Sequence, residues 1–447
     1  MSILFHRSAI THCDEDKMNR RSFLFSLPAA TALPGLACSK RTATPTSAQE
    51  CYLAGMTYRQ HRDELHDLLF KQYLPFWDHG GYDREYGGFI CNLTPDGVPV
   101  DDEKYIWYQG RGIWVYSFLY THFGHETTYL DIARRTRDFM VNHMYLGRGQ
   151  WAEKVHRDGS LIKGVEADTD VYGWLFAAIG LVEYYHCTGD EEDLQLAIES
   201  IRAAQKAYDA VDYRKGTRWQ GLRIQGHSMI FVQLLTLLLQ QQNDELAGLW
   251  DLHLDHLMNR FYDSRYRIAN EELAHDYSRI AAQEGRMFLG HSLEAQWMVM
   301  QAALLKKDDR LFERAKTNFK RYLEMGWDHS FDGWASEDYM VFAGPNHIQG
   351  ADYSTKTMWA HTEILIGCMI VLEQCGENWA GEWYGRTWEF VKKAFCRGIG
   401  AWEQAVNRYG EPQSREKWGI HPMRRCNYHQ PRFLMMTIQS LDRMMQR

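Results

Sequence analysis

The sequence predicts an all-α fold, a double-layered (α/α)6 toroid of six helix hairpins filling residues 51–447 as one domain. Three observations predict it. From about residue 55 onward the apolar residues recur with the helical period. Two kinds of helix alternate: one apolar nearly all round, as a helix buried on two sides must be, the other amphipathic and charge-rich. The apolar kind returns about every 60 residues, the length of one helix hairpin with its loops.

In chain order, the buried helices are read at Gln109–Thr121, Asp170–Tyr185, His227–Leu239, Ser292–Leu305, Thr362–Glu373 and Pro431–Met445. The amphipathic ones are read at Tyr58–Tyr73, Thr127–Met144, Glu191–Ala210, Asp244–Arg260, Asp309–Met325 and Gly381–Cys396. In the fourth buried helix, Leu293, Trp297, Met300 and Leu304 fall at i, i+4, i+7 and i+11 and make one stripe. An outer helix covers what an inner helix cannot bury alone, and six such pairs close on themselves. An open superhelix of helix pairs would have shorter and more regular repeats. The run from Gly87 to Gly97, with its Asp96-Gly97 turn, predicts a hairpin over the barrel mouth. Phe331-Asp332-Gly333-Trp334 carries a similar turn.

Composition narrows the function. Hydrophobic residues are 45% and charged residues 24%, ordinary for a soluble globular chain. Aromatic residues reach 14%, with 16 Trp and 25 Tyr, which suits either a large core or a groove with aromatic platforms. The net charge is −8 and no Lys/Arg run forms a basic footprint, so nucleic-acid binding is not expected. Beyond the N-terminus no run of about 18 apolar residues reads as a membrane span. The 9 cysteines form no CxxC pair, which fits neither a disulfide framework nor a zinc site; most are expected to be free buried thiols.

Residues 1–50 read as an N-terminal extension. Arg20-Arg21-Ser22-Phe23-Leu24, an apolar run from Phe23 to Ala37 and a Thr/Ser/Pro-rich stretch follow in the order of a twin-arginine export signal. Cys38 is a candidate lipid-anchor site, although Gly35 stands where such motifs usually carry Leu. Residues 1–17 are polar, and Met18 is the expected start. An exported location is expected, and a cytoplasmic one if the Arg pair is fortuitous.

The polar residues carry the functional signal through their position. Gln109-Gly110-Arg111, Gln225-Gly226-His227, Gly290-His291, Trp359-Ala360-His361 and Tyr428-His429 each sit at or just before the start of a buried helix. With the inner helices parallel, four histidines and an arginine meet in one cavity lined by Trp and Tyr. Helix N-termini add partial positive charge there. One histidine at a helix start is ordinarily a cap or a core residue; recurrence at five repeat-equivalent positions points to a shared site. His291 and Glu294 are spaced i, i+3 and share a face. His361 and Glu363 are spaced i, i+2, so His361 reaches the cavity only from outside the helical turn. His253 and His256 fall on an amphipathic outer helix and read as surface. Asp168 and Asp170 read as helix caps first and ligand contacts second. No HxxxH or HExxH pair is present, so no metal is expected.

Four motifs in order then resemble the N-acylglucosamine 2-epimerase family: Trp107-Tyr108-Gln109-Gly110-Arg111-Gly112-Ile113-Trp114, Gly290-His291-Ser292-Leu293-Glu294-Ala295-Gln296-Trp297, Lys356-Thr357-Met358-Trp359-Ala360-His361-Thr362-Glu363 and Tyr428-His429-Gln430-Pro431-Arg432. The resemblance implies an (α/α)6 barrel that interconverts sugars differing at C-2. It implies His291 and His429 as the acid/base pair, Arg111 as a substrate-binding arginine and Glu294 as the carboxylate tuning the first histidine. It implies substrate contacts from Trp359, His361 and Glu363; His227, Trp107, Trp418 and Arg432 complete the expected substrate-binding set. Met358-Trp359-Ala360-His361 departs from the Trp-Trp-Pro-His the family often carries, which alters the expected pocket. His361 and Pro431 are similar to the monosaccharide-type members rather than the cellobiose 2-epimerases, which tend to have Gln and Gly there. Homodimers through outer helices are also implied.

The chemistry follows from the residue types. A neutral histidine removes a weakly acidic proton beside an aldehyde, and a second returns it from the other face. Arg111 and the helix N-termini stabilise the enediolate oxygen. One histidine doing both would make an aldose–ketose isomerase. No cofactor is expected, as no GxGxxG or Walker sequence is present. Two other readings remain open: a glycoside hydrolase or lyase using Asp168, Asp170, Glu294 or Glu363, and a non-catalytic sugar- or protein-binding barrel.

Overall fold

The computed structural model describes residues 51–447 apart from 164–169, 241–243, 334–338, 345–346, 352–353, 398–399, 415 and 417–419. The export motif, Cys38, Asp168 and Trp418 therefore lie outside the described residues. The inner helices are α2 (Ile106–His122), α4 (Val171–Thr188), α6 (Gln225–Leu239), α8 (Leu289–Lys306), α10 (Met358–Cys375) and α12 (His429–Met445). The outer helices are α1 (Tyr58–Asp67), α3 (Thr127–Met144), α5 (Glu191–Asp209), α7 (Ala247–Asp255), α9 (Asp309–Gly326) and α11 (Asn378–Ala394). Helix α1 runs on through the π-helical Leu68–Tyr73, and α7 through the π-helical His256–Arg260.

Each inner helix packs on the next, and α12 closes the ring against α2. Each outer helix covers the inner helix before it, while α1 covers α12, so the first described helix seals the last. The apolar pattern dictates these layers. All 15 residues of α6 are buried, whereas α9 buries one face through Phe312, Ala315, Phe319, Tyr322 and Leu323. Among the described residues no helix is long and apolar enough to cross a membrane.

Side chains start three of the outer helices. Thr57 and Gln60 form a reciprocal capping box for α1, and the Asp190 and Asp308 carboxylates accept backbone N–H groups at α5 and α9. Four inner helices start differently. Strands Glu103–Tyr105, Arg223–Ile224, Arg286–Phe288 and Thr355–Thr357 run directly into α2, α6, α8 and α10. Each pairs antiparallel with a strand that follows the outer helix of the same hairpin: Lys154–His156, Glu272–Leu273, Tyr339–Gly344 and Ala405–Asn407. A hairpin returns to the end where it began, and the strand pair fixes the two ends together. The starts of these inner helices therefore share one end of the barrel.

Three expectations change. These inner helices begin two to four residues earlier than the apolar pattern indicates, because the strand pair supplies the start that a capping side chain would otherwise mark. His361 is thus the fourth residue of α10, inside the helical turn rather than before it. His253 and His256 are buried, not on the surface. His253 stacks on Phe231 at 4.0 Å and bonds Gln205 at 2.8 Å, because its face of the outer helix meets α6. The 87–97 segment makes only a tight turn and isolated bridges; it leans instead on the approach to α12, where Arg425 N donates to Cys91 O (2.8 Å). The seven described cysteines are free; Cys91, Cys368 and Cys426 are buried, Cys51 and Cys375 exposed.

Burial sets an acid limit on the fold. Desolvation pushes the His256 imidazole down to about 4, the His361 imidazole down to about 3 and His253 well below its ordinary value. In the unfolded chain they protonate near pH ~6.5. Folded-state values lie below unfolded ones, so this stability is complete above about pH 6.5 and is lost as pH falls toward about 4. The urea midpoint is expected to fall between pH 7.5 and pH 5, less steeply in His361→Phe; equal slopes would refute the assignment.

Candidate active site

The mouth formed by the inner-helix starts holds a cavity of about 380 Å³, within the range of about 300–1,000 Å³ usual for small-molecule sites. Its lining includes Trp107, Arg111, His227, His291, Glu294, Trp359 and His429. Tyr172, Arg214, Trp219 and Arg424, which no sequence motif marked, line it too. Arg111 is buried between aromatic faces, with its guanidinium 4.1 Å from Phe176 and 5.2 Å from Tyr428. These rings hold the cation by its faces while its N–H groups keep their hydrogen-bonding capacity.

His291 and His429 flank one indole. Their ring centres lie 5.7 Å and 5.6 Å from that of Trp359. Gly290 leaves the room for this ring, since a Cβ there would collide with it. Each histidine donates through Nδ1 to a carboxylate: His429 to Glu363 at 2.7 Å, His291 to Glu271 at 2.8 Å. A donor at Nδ1 makes Nε2 the basic nitrogen of the neutral ring. Glu271 was missed in the sequence, where it sits in a loop without helical period.

Under His429 lies a buried charge cluster. Arg432 Nη2 donates to Glu294 at 2.8 Å and lies 2.6 Å from Glu363 Oε1. Trp297 Nε1 donates to the other Glu363 oxygen at 2.9 Å. Burial raises both carboxyls, and Glu363 raises Glu294 further, while Arg432 pulls them down. Burial alone would weaken the Arg432 cation, but Glu363, Tyr428 and Glu294 hold it well above its ordinary value. Glu294 therefore serves the His429 side; its expected pairing with His291 is replaced by Glu271, because α8 turns Glu294 inward toward α12. Glu294, Glu363 and His429 are close enough together to hold a metal ion, but the Arg432 guanidinium already lies among them and would repel one.

On the opposite wall, Asp170 caps α4 and meets His227 Nε2 and Arg214 Nη1, both at 2.8 Å. Burial would raise this carboxyl, yet His227 and Arg214 hold it well below the usual carboxylate range. His361 does not reach the cavity. It donates through Nδ1 to Thr357 O at 2.7 Å and stacks on Phe390 at 5.0 Å, between the layers. Arg432 and Glu363 act beneath the cavity floor rather than on its surface. Trp418 lies outside the described residues.

Arg432→Met removes the cation between two buried carboxylates. The unfolding free energy is expected to fall by about 3–5 kcal/mol in chemical denaturation, and a loss under about 1 kcal/mol would contradict the cluster's role.

Known proteins share this fold and sequence pattern. The sequence pattern of the N-acylglucosamine 2-epimerase family (GlcNAc 2-epimerase) matches residues 87–424. N-acylglucosamine 2-epimerase of Mus musculus is 25% identical over 387 residues, 84% of this chain and 90% of its own. Cellobiose 2-epimerase of Bacteroides fragilis is 23% identical, over 83% of this chain and 97% of its own. The solved structure of cellobiose 2-epimerase from Bacillus thermoamylovorans B4167 superposes with a TM-score of 0.70 at 19% identity, covering 85% of this chain and 99% of that one. With its six hairpins, its converging motifs and the match over most of its length, the chain belongs to the N-acylglucosamine 2-epimerase family.

Proposed function

We propose that this enzyme inverts C-2 of an aldose or N-acylhexosamine through an enediolate, with His291 and His429 exchanging base and acid roles. The observation that carries the reading is the pair of carboxylate-backed imidazoles flanking Trp359 in one cavity. One imidazole takes the C-2 proton, and the electron pair moves onto the carbonyl oxygen. The other returns a proton to C-2 from the opposite face, and the C-1 carbonyl re-forms. Arg111 and the inner-helix N-termini offset the charge on the enediolate oxygen. The carboxylates speak against a hydrolase. Glu294 and Glu363 share Arg432, and Asp170, held low by His227 and Arg214, makes a poor general acid. The Arg20-Arg21 leader supports an exported enzyme.

Proton NMR in deuterated water with aldoses and N-acylhexosamines tests the chemistry. Deuterium is expected at C-2 of one sugar class, with an epimeric product. His291→Asn and His429→Asn are each expected to slow exchange about 10²- to 10⁴-fold. A ketose product would replace this reading by an isomerase, and full exchange in either variant would remove it. In a host with a twin-arginine pathway, Arg20→Lys with Arg21→Lys is expected to leave the protein cytoplasmic; unchanged export would exclude that route.

A further inference from the structure

We infer that Glu271 is the positioning residue of His291, and that the two histidines are unequal because Glu271 serves one imidazole alone while Glu363 is shared. The inference rests on the C-2 reading above and assigns it a residue outside every recognised motif.

The site for Glu271 is built rather than incidental. The residue is buried, at 6% exposure, between strands Ile268–Ala269 and Glu272–Leu273. Its carbonyl accepts the Gln225 N–H at 2.8 Å, which ties it to the first residue of α6. Gln225 Oε1 in turn accepts from Ser292 Oγ at 3.1 Å, the residue after His291. The loop, α6 and α8 are thus joined around one carboxylate. Gly226 completes the arrangement. A Cβ there would lie 2.8 Å from His291 Nδ1 and Cε1 and 3.5 Å from Glu271 Oε1, against the hydrogen bond itself. The glycine is what permits the imidazole to reach its carboxylate.

Glu271 Oε1 meets His291 Nδ1, while Oε2 is buried with no hydrogen-bond partner among the described residues. No arginine or lysine lies within ion-pair distance of Glu271 among the described residues, so its charge is answered by His291. Glu363 differs. Its oxygens also meet Arg432 and Trp297, and Arg432 is shared with Glu294, so His429 faces two carboxylates and one guanidinium. A carboxylate acting on one ring favours its imidazolium, and its removal is felt by that ring alone. The two imidazoles therefore stand on different supports, a lone carboxylate under His291 and two carboxylates sharing Arg432 under His429, and Glu271 fixes the Nδ1–H tautomer of His291.

The test is the pH profile of kcat/KM for C-2 exchange in the full chain, in wild type, Glu271→Gln, Gly226→Ala and His291→Asn. Glu271→Gln keeps the shape and removes the charge. One limb of the profile is expected to move to lower pH by about one unit, with kcat down about 10- to 1,000-fold. Gly226→Ala is expected to move the same limb, since it displaces the ring from the same carboxylate. In wild type, the imidazole nitrogen signals that vanish in His291→Asn are expected to show the Nδ1–H form, a readout that needs no Glu271 variant to fold. A Glu271→Gln enzyme with unshifted limbs, or an Nε2–H form for His291, would overturn the inference. If His291→Asn itself keeps full exchange, the C-2 reading fails first, and Glu271 with it.

Discussion

The structure depends on a closure constraint: each inner and outer helix pair must come back to the end where it began. Short antiparallel strand pairs enforce this in four of the hairpins, joining the residues before the inner helix to those after the outer one. Backbone hydrogen bonds replace the capping side chains that α2, α6, α8 and α10 lack. With these ends tied, the inner-helix starts meet around one cavity, and the positive ends of their dipoles point toward the place where anionic charge develops. The wall between barrel and mouth is thus also the scaffold of the site.

Burial drives the energetics of both parts. The apolar faces of the inner helices leave no solvent-facing side, so polar groups among them need partners. Arg432, Glu294, Glu363 and His429 supply one another's partners at 2.6–2.8 Å. Such a cluster adds little net stability relative to an apolar core, but breaking it by removing one member is costly. Its benefit is orientation: a ring held by Glu363 and bordered by Tyr428 and Trp359 has little freedom to tilt. On the other side, His291 is held by one carboxylate in a space opened by a glycine. The two imidazoles share a cavity and differ in their electrostatic support.

The same burial explains which histidines are chemical and which are structural. His253, His256 and His361 lie between the helix layers, where desolvation keeps them neutral and aromatic rings cover them. His227, His291 and His429 line the cavity and meet carboxylates. Spacing along the chain does not separate the two groups. His361 and His291 both sit in the first turn of an inner helix, one at its fourth residue and one at its third, and that one-residue difference is about 100° around the axis.

By itself the sequence determined the twelve helices, their alternation in two layers and the family, because helical periodicity and short motifs are local properties. It also marked Arg111, His291, Trp359 and His429, since each sits at a repeat-equivalent helix start that the parallel inner ring turns into a neighbour. Only the tertiary structure decided which carboxylate serves which histidine. Glu294 is three residues from His291 yet bonds Arg432, which is 138 residues away. Glu271, 20 residues upstream in a loop, takes the place beside His291. The physical reason is that a hydrogen bond needs atoms within about 3 Å, and that proximity is set here by strand pairs and inter-helix contacts between distant segments. No local period encodes it.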